Sequence, residues 1–203
     1  MIRTFLACAA VALAASAQAA PVLDTGAPDG LAVGALALDG VDWYAARFDL
    51  ASASGVDAVS AHVLGGAAGE TFHLSLYADD GAGEPGLELD TASATFGADG
   101  WNGVSGLSGW TLDAGSYWIG VEVADGDTLG SASATGALLD QGAPAPADTA
   151  YSSFGAAGYS AFGGLSFGLR VDAVSAVPEA GPAALMLAGL ALVAGVARRR
   201  RAA

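Results

Sequence analysis

The stretch Asp79-Asp80-Gly81-Ala82-Gly83-Glu84 sets three carboxylates close together, with glycines between them that let the backbone fold back. Hard cations take several carboxylate and carbonyl oxygens from one turn, so Asp79, Asp80 and Glu84 are candidate calcium ligands. The regular ligand spacing and closing glutamate of an EF-hand are absent, and a solvated hairpin loop accounts for the same residues. Trp101, Trp110 and Trp118 are candidates of another kind, because an aromatic face exposed on a sheet can stack against a sugar ring. The competing account is that they fill a core otherwise thin in side-chain volume, since Ala and Gly are abundant. His62 and His73 are the only histidines, and they lack the close spacing of a zinc pair. No serine sits in a G-x-S-x-G elbow, and no nucleophile stands with a base, so the chain reads as non-enzymatic.

These residues need strands to position them. In residues 70–77, Phe72, Leu74 and Leu76 share one face, opposite Thr71, His73 and Ser75. Residues 116–123 alternate likewise, grouping Tyr117, Ile119, Val121 and Val123 and sending Trp118 to the other face. Leu165, Phe167, Leu169 and Val171 form a third such set; weaker patterns cover residues 43–50 and 56–64. The turns Asp79-Asp80-Gly81, Ala98-Asp99-Gly100 and Asp125-Gly126-Asp127 carry residues that tolerate positive φ. No amphipathic helix stands out before the C-terminal segment. The pattern predicts an all-β fold, a single antiparallel β-sandwich of jelly-roll-like type.

Charge is distributed unevenly. The chain has no lysine; apart from Arg3, Arg47 and Arg170, its arginines are Arg198, Arg199, Arg200 and Arg201. Between residues 20 and 176, twenty acids face two arginines. That surface repels nucleic acid and anionic lipid and favours cations and neutral glycans, so nucleic-acid binding is excluded.

Both ends read as targeting segments. Arg3 precedes an apolar run over residues 5–15, and Ala17 and Ala19 then offer a small-x-small signal-peptidase site with cleavage most simply before Ala20, a cut after Ala17 being the competing choice. Cys8 lies inside that run rather than after it, which is wrong for a lipid anchor, and its removal leaves a mature chain without thiols or disulfides. Residues 180–197 carry no charge; as a helix they would reach roughly 27 Å, enough for a thin bilayer core. The arginines behind them hold that end cytoplasmic and everything before it outside. The two segments therefore predict an N-terminal signal helix and a C-terminal transmembrane helix flanking the sandwich.

Val177-Pro178-Glu179, the apolar run and Arg198 to Arg201 occur in order at the terminus, and this arrangement resembles a PEP-CTERM sorting signal. Ala180 stands where that family has its second proline. The resemblance implies export by the general secretion machinery, recognition and processing by an exosortase, and a place at the cell surface or near exopolysaccharide. The strand-to-loop stretch 74–86 and the later Leu112-Asp113-Ala114-Gly115-Ser116-Tyr117-Trp118 resemble the choice-of-anchor type of bacterial surface domain. That likeness implies an exported β-sandwich with no established enzymatic activity.

The expected organisation is a signal peptide at 1–19, an acidic ectodomain at 20–174 and a sorting tail at 175–203. The tail contains the motif at 177–180, the helix at about 180–197 and the arginines at 198–201. The expected function is that of a non-catalytic exported surface or extracellular-matrix protein, sorted at the inner membrane. It has no cofactor unless calcium binds. The alternatives are a carbohydrate-binding module at the cell surface and, below it, a secreted hydrolase.

Overall fold

The computed structural model describes residues 19–28, 36–132, 136–142, 145–146, 148–153 and 158–175. Thirteen strands follow one another: β1 (Ala20–Asp24), β2 (Leu36–Leu38), β3 (Asp42–Leu50), β4 (Ser54–Leu64), β5 (Thr71–Asp79), β6 (Pro85–Thr95) and β7 (Gly100–Ser105). They continue with β8 (Thr111–Leu112), β9 (Gly115–Glu122), β10 (Ala137–Leu139), β11 (Thr149–Ser153), β12 (Ser160–Ala161) and β13 (Leu169–Ser175). No helix occurs among the described residues. The signal segment with Ala17, the sorting motif Val177 to Ala180, the apolar run and the four terminal arginines lie outside them.

Two antiparallel sheets form. The first is built around β4, which pairs with β13 and β10 and also with β7 and β8; β1 extends it beyond β13 and β2 beyond β10. The second runs β12-β11-β3-β9-β5-β6. Their inner faces share one apolar core. Phe72, Leu74 and Leu76 of β5, Ile119 and Val121 of β9, and Tyr44, Ala46, Phe48 and Leu50 of β3 meet Val59, Ala61 and Val63 of β4 and Leu169 and Val171 of β13. All the inward positions expected from alternation in β3, β5 and β9 are in this core, with Tyr117 partly exposed.

Alternation in β4 has a break. Asp57 has no partner in β13, and this bulge moves the inward set from Val56 to Val59, Ala61 and Val63. A second bulge matters more for the site. Across β5 and β6, Leu76 pairs with Asp90 but Tyr77 pairs with Glu88, so Leu89 is skipped and Glu88 shares a face with Tyr77. β6 itself begins at Pro85, where the sequence pattern gives only a loop through Gly86. Proline is tolerated there because β6 is the edge of its sheet.

The three expected turns have the expected backbone: Gly81, Gly100 and Gly126 have φ of 84°, 123° and 95°. The first and last strands lie side by side, since Ala20 of β1 pairs with Ala173 of β13.

Candidate functional site

The outer face of the second sheet is not an ordinary solvated face. Inward alternation on β9 sends Ser116, Trp118, Gly120 and Glu122 to this side. Trp118 is fully buried there with Ala45, Tyr77 and Ala150, and Tyr159, from the segment between β11 and β12, packs over them. A polar cluster adjoins this apolar one. Glu122 is 3% exposed, yet it has no cationic partner among the described residues. Instead three neutral hydroxyls donate to it: Tyr77 Oη and Tyr159 Oη to Oε1, both at 2.6 Å, and Ser75 Oγ to Oε2 at 2.9 Å. Burial first, and then the Glu122 charge, push the Tyr77 and Tyr159 hydroxyls far above their ordinary value, so both stay protonated donors.

Gly120 makes this possible. A Cβ there would lie 2.5 Å from Glu122 Oε1 and 2.7 Å from Tyr159 Oη, so only glycine leaves room for the hydroxyl–carboxylate contact. The two tyrosine rings meet edge to face at 5.4 Å. Ser75 Oγ also lies 3.0 Å from Thr91 Oγ1 on β6, tying the cluster to the edge strand.

Above this floor is an open cleft of about 530 Å³, lined by Trp43, His73, Tyr77, Glu88, Glu122 and Tyr159 with smaller neighbours. Glu88 reaches it because of the bulge at Leu89. Partial burial, and next the nearby Glu122 charge, raise the Glu88 carboxyl above its ordinary value, while His73 opposes the shift. His73 Nδ1 is 2.6 Å from Asp127 Oδ2, an oxygen that also accepts from the Ala124 amide at 2.8 Å. The cleft thus combines aromatic rings, hydroxyls and carboxylates, with neither lysine nor arginine in its lining among the described residues.

The residues singled out in the sequence are placed differently. Trp118 lies on the expected face, but it is buried rather than exposed, and its indole N–H donates to Asp79 Oδ2 at 2.9 Å. Trp110 is 5% exposed and belongs to the main core. Neither presents a face to a sugar, which corrects the stacking assignment for both. The reason is that Trp118 packs with Ala45, Tyr77 and Ala150 beneath Tyr159, and the loop before β8 turns Trp110 inward. Trp101 is half-buried on the outer face of the first sheet; the Arg170 guanidinium sits 4.2 Å over its ring, and His62 meets it edge-on at 5.4 Å. One of its faces is therefore already occupied by a cation. His62 Nδ1 is 3.1 Å from Asp140 Oδ2, so the two histidines stand apart, each beside its own aspartate.

The acidic loop is organised by amides. Asp79 Oδ1 accepts from Gly81 N at 2.9 Å, and Asp80 Oδ1 accepts from Ala82 N at 2.7 Å and Glu84 N at 3.0 Å. Those amides, Glu84's first, hold the Asp80 carboxyl below its ordinary value. Glu84 Oε1 accepts from Ala161 N of β12 at 2.9 Å, and Arg47 Nε lies 3.8 Å from Asp79 Oδ2. The three carboxylates point at separate partners, as in Asx turns, and no group of three metal-ligating side chains converges among the described residues.

One more carboxylate has a purely architectural task. Glu70 accepts from the amides of Ala67, Gly130 and Ala132, each at 2.8 Å, and from Ser131 Oγ at 3.1 Å. It fastens the loop before β5 to the loop after β9. The Ala67 and Ala132 amides lead in lowering its pKa to about 2, against burial.

Glu122, Tyr77, Tyr159 and Glu88 were not among the sequence candidates. One signal was available: Glu122 sits between Val121 and Val123 on an apolar strand, at the position that alternation sends to Trp118's side. Tyr159 and Glu88 had none, because one arrives from distant chain and the other depends on a bulge.

No protein-family model matches this chain, and no curated protein is similar to it. Fold and site define an acidic domain of two packed antiparallel sheets, with a carboxylate-bearing cleft on the outside of one of them.

Proposed function

We propose that this chain is an exported bacterial surface or extracellular-matrix protein, non-catalytic, whose jelly-roll-like sandwich is delivered through a PEP-CTERM-type tail. One observation carries the reading: Val177-Pro178-Glu179, an uncharged run over 180–197 and Arg198 to Arg201 stand in that order, in a chain with no lysine and only three other arginines. In this reading signal peptidase releases residues 1–19, the secretion machinery passes the acidic domain across the membrane, and the tail spans it as a helix. An exosortase-type enzyme then removes the tail, leaving the domain on the surface or in the matrix. The strand ends support this: Ala20 and Ser175, which lead into the two terminal segments, both belong to paired strands of the described domain.

The C-terminal mass of the mature protein from its native host tests the proposal. Loss of residues 180–203 is the expected result. An intact C-terminus retained in the membrane fraction would make the segment a plain anchor and refute sorting.

A second reading, carbohydrate binding at the surface, is favoured by the cleft over β5, β6 and β9 rather than by Trp101, Trp110 or Trp118. Its hydroxyl and carboxylate lining and the indole of Trp43 suit a sugar ring, and its volume lies in the range of small-molecule sites.

A further inference from the structure

Glu122, like Glu70, is buried with only neutral donors, but it faces an open cleft and its donors are hydroxyls rather than backbone amides. Buried carboxylates are ordinarily paired with a cation, because hydroxyl donors alone do not neutralise the charge. Here the three donors, Tyr77, Tyr159 and Ser75, are all neutral. The domain has only two arginines between residues 20 and 176 and no lysine. Both arginines are committed elsewhere: Arg47 to Asp148 at 2.9 Å and Ser116 at 2.8 Å, Arg170 to Asp24 at 3.1 Å and the Trp101 ring. His73, the one basic side chain in the cleft, is matched by Asp127 at 2.6 Å. Glu88 and Asp125 line the same cleft and add further negative charge. A carboxylate has about four lone-pair sites, and Glu122 uses three, so Oε2 keeps one acceptor position. Partial burial first, and then the charge of Glu122, raise the Glu88 carboxyl above its ordinary value.

We propose that this cleft binds a sugar bearing a protonated primary amine, with the ammonium between Glu122 and Glu88 and the ring against Trp43. The ammonium supplies the missing positive charge and donors. The hydroxyls of Ser75, Thr91, Tyr77 and Tyr159 supply partners for a polyol frame, which distinguishes an amino sugar from a bare alkyl amine. No three His, Cys, Asp or Glu side chains converge among the described residues, whereas an ammonium needs only the two carboxylates Glu122 and Glu88. The inference rests on the carbohydrate-binding reading and names its ligand class.

The test titrates the full-length chain, in mild detergent, with a glucosamine tetrasaccharide, the N-acetylated tetrasaccharide and putrescine, by calorimetry. The glucosamine tetrasaccharide binds, and its affinity falls with added salt. The N-acetylated form, which has the same rings without the charge, binds at least about tenfold more weakly, the worth of one charge-assisted hydrogen bond. Glu88→Gln lowers glucosamine affinity by a similar factor; Glu88 is exposed on an edge strand, so the variant folds. Putrescine binding as tightly as the amino sugar would overturn the assignment to a sugar. Equal or tighter binding of the N-acetylated form would overturn the ammonium while leaving carbohydrate binding standing. Binding of none of the three would overturn this inference, and a neutral-glycan screen that is also blank would remove the carbohydrate reading with it.

Discussion

Replacing Trp118 by alanine separates the two accounts of this side chain most directly. As an exposed stacking platform it could be removed with little effect on stability. As found, it is fully buried and its indole N–H donates to Asp79. A tryptophan buries roughly 200 Å², and at about 25 cal/mol per Å² this is worth about 5 kcal/mol before allowance for a compact unfolded state. Tryptophan-to-alanine changes in cores cost about 3–5 kcal/mol, so about 4 kcal/mol is expected. For a domain of this size each kcal/mol moves Tm by roughly 2–4 °C, giving a fall of about 8–16 °C. Trp118→Phe keeps most of the ring volume and loses the donor, and should fall by about a third of that. Trp101→Ala is the internal control: half-buried, with a cation over one face, it should stay within about 1 kcal/mol. Melts followed by far-ultraviolet circular dichroism give the three numbers. If Trp118→Ala shifts Tm by no more than Trp101→Ala, the outer face of the second sheet is not covered as described, and the cleft built on it loses its floor.

Gly120→Ala should destabilise by about 1–3 kcal/mol in urea unfolding, because its methyl would press on Glu122 Oε1 and Tyr159 Oη; a neutral result would mean that Tyr159 does not reach the carboxylate. Glu70 has a folded pKa of about 2 against an ordinary 4.5, so its contribution is fully present above about pH 4.5 and is lost as pH falls through 2. Glu70→Gln, which sets an NH₂ among amide donors, should therefore lower Tm at neutral pH, and the gap to the parent chain should close between pH 4.5 and 2. A gap independent of pH across that window would show that the carboxylate charge plays no part in fastening the two loops.

Period-two alternation is a local property, and the sequence by itself determined the strands it marks. The inward sets of β3, β5 and β9 follow from side chains pointing to opposite faces at every step. The glycine turns followed from which residues adopt positive φ. Charge counting likewise established an acidic domain whose two internal arginines cannot balance its carboxylates. Alternation assigned Trp118 to a face without saying whether that face meets water. That was decided by Tyr159, which packs against the Trp118 cluster and donates to Glu122. Glu88 entered the cleft only through a one-residue bulge, which no residue type announces and which reverses the facing of everything past it. The cleft was therefore invisible in the sequence for a physical reason. Its members, Glu122, Tyr77, Glu88 and Tyr159, are brought together by strand pairing and a long-range crossing, and the chemistry of a buried carboxylate without a cation exists only once they meet.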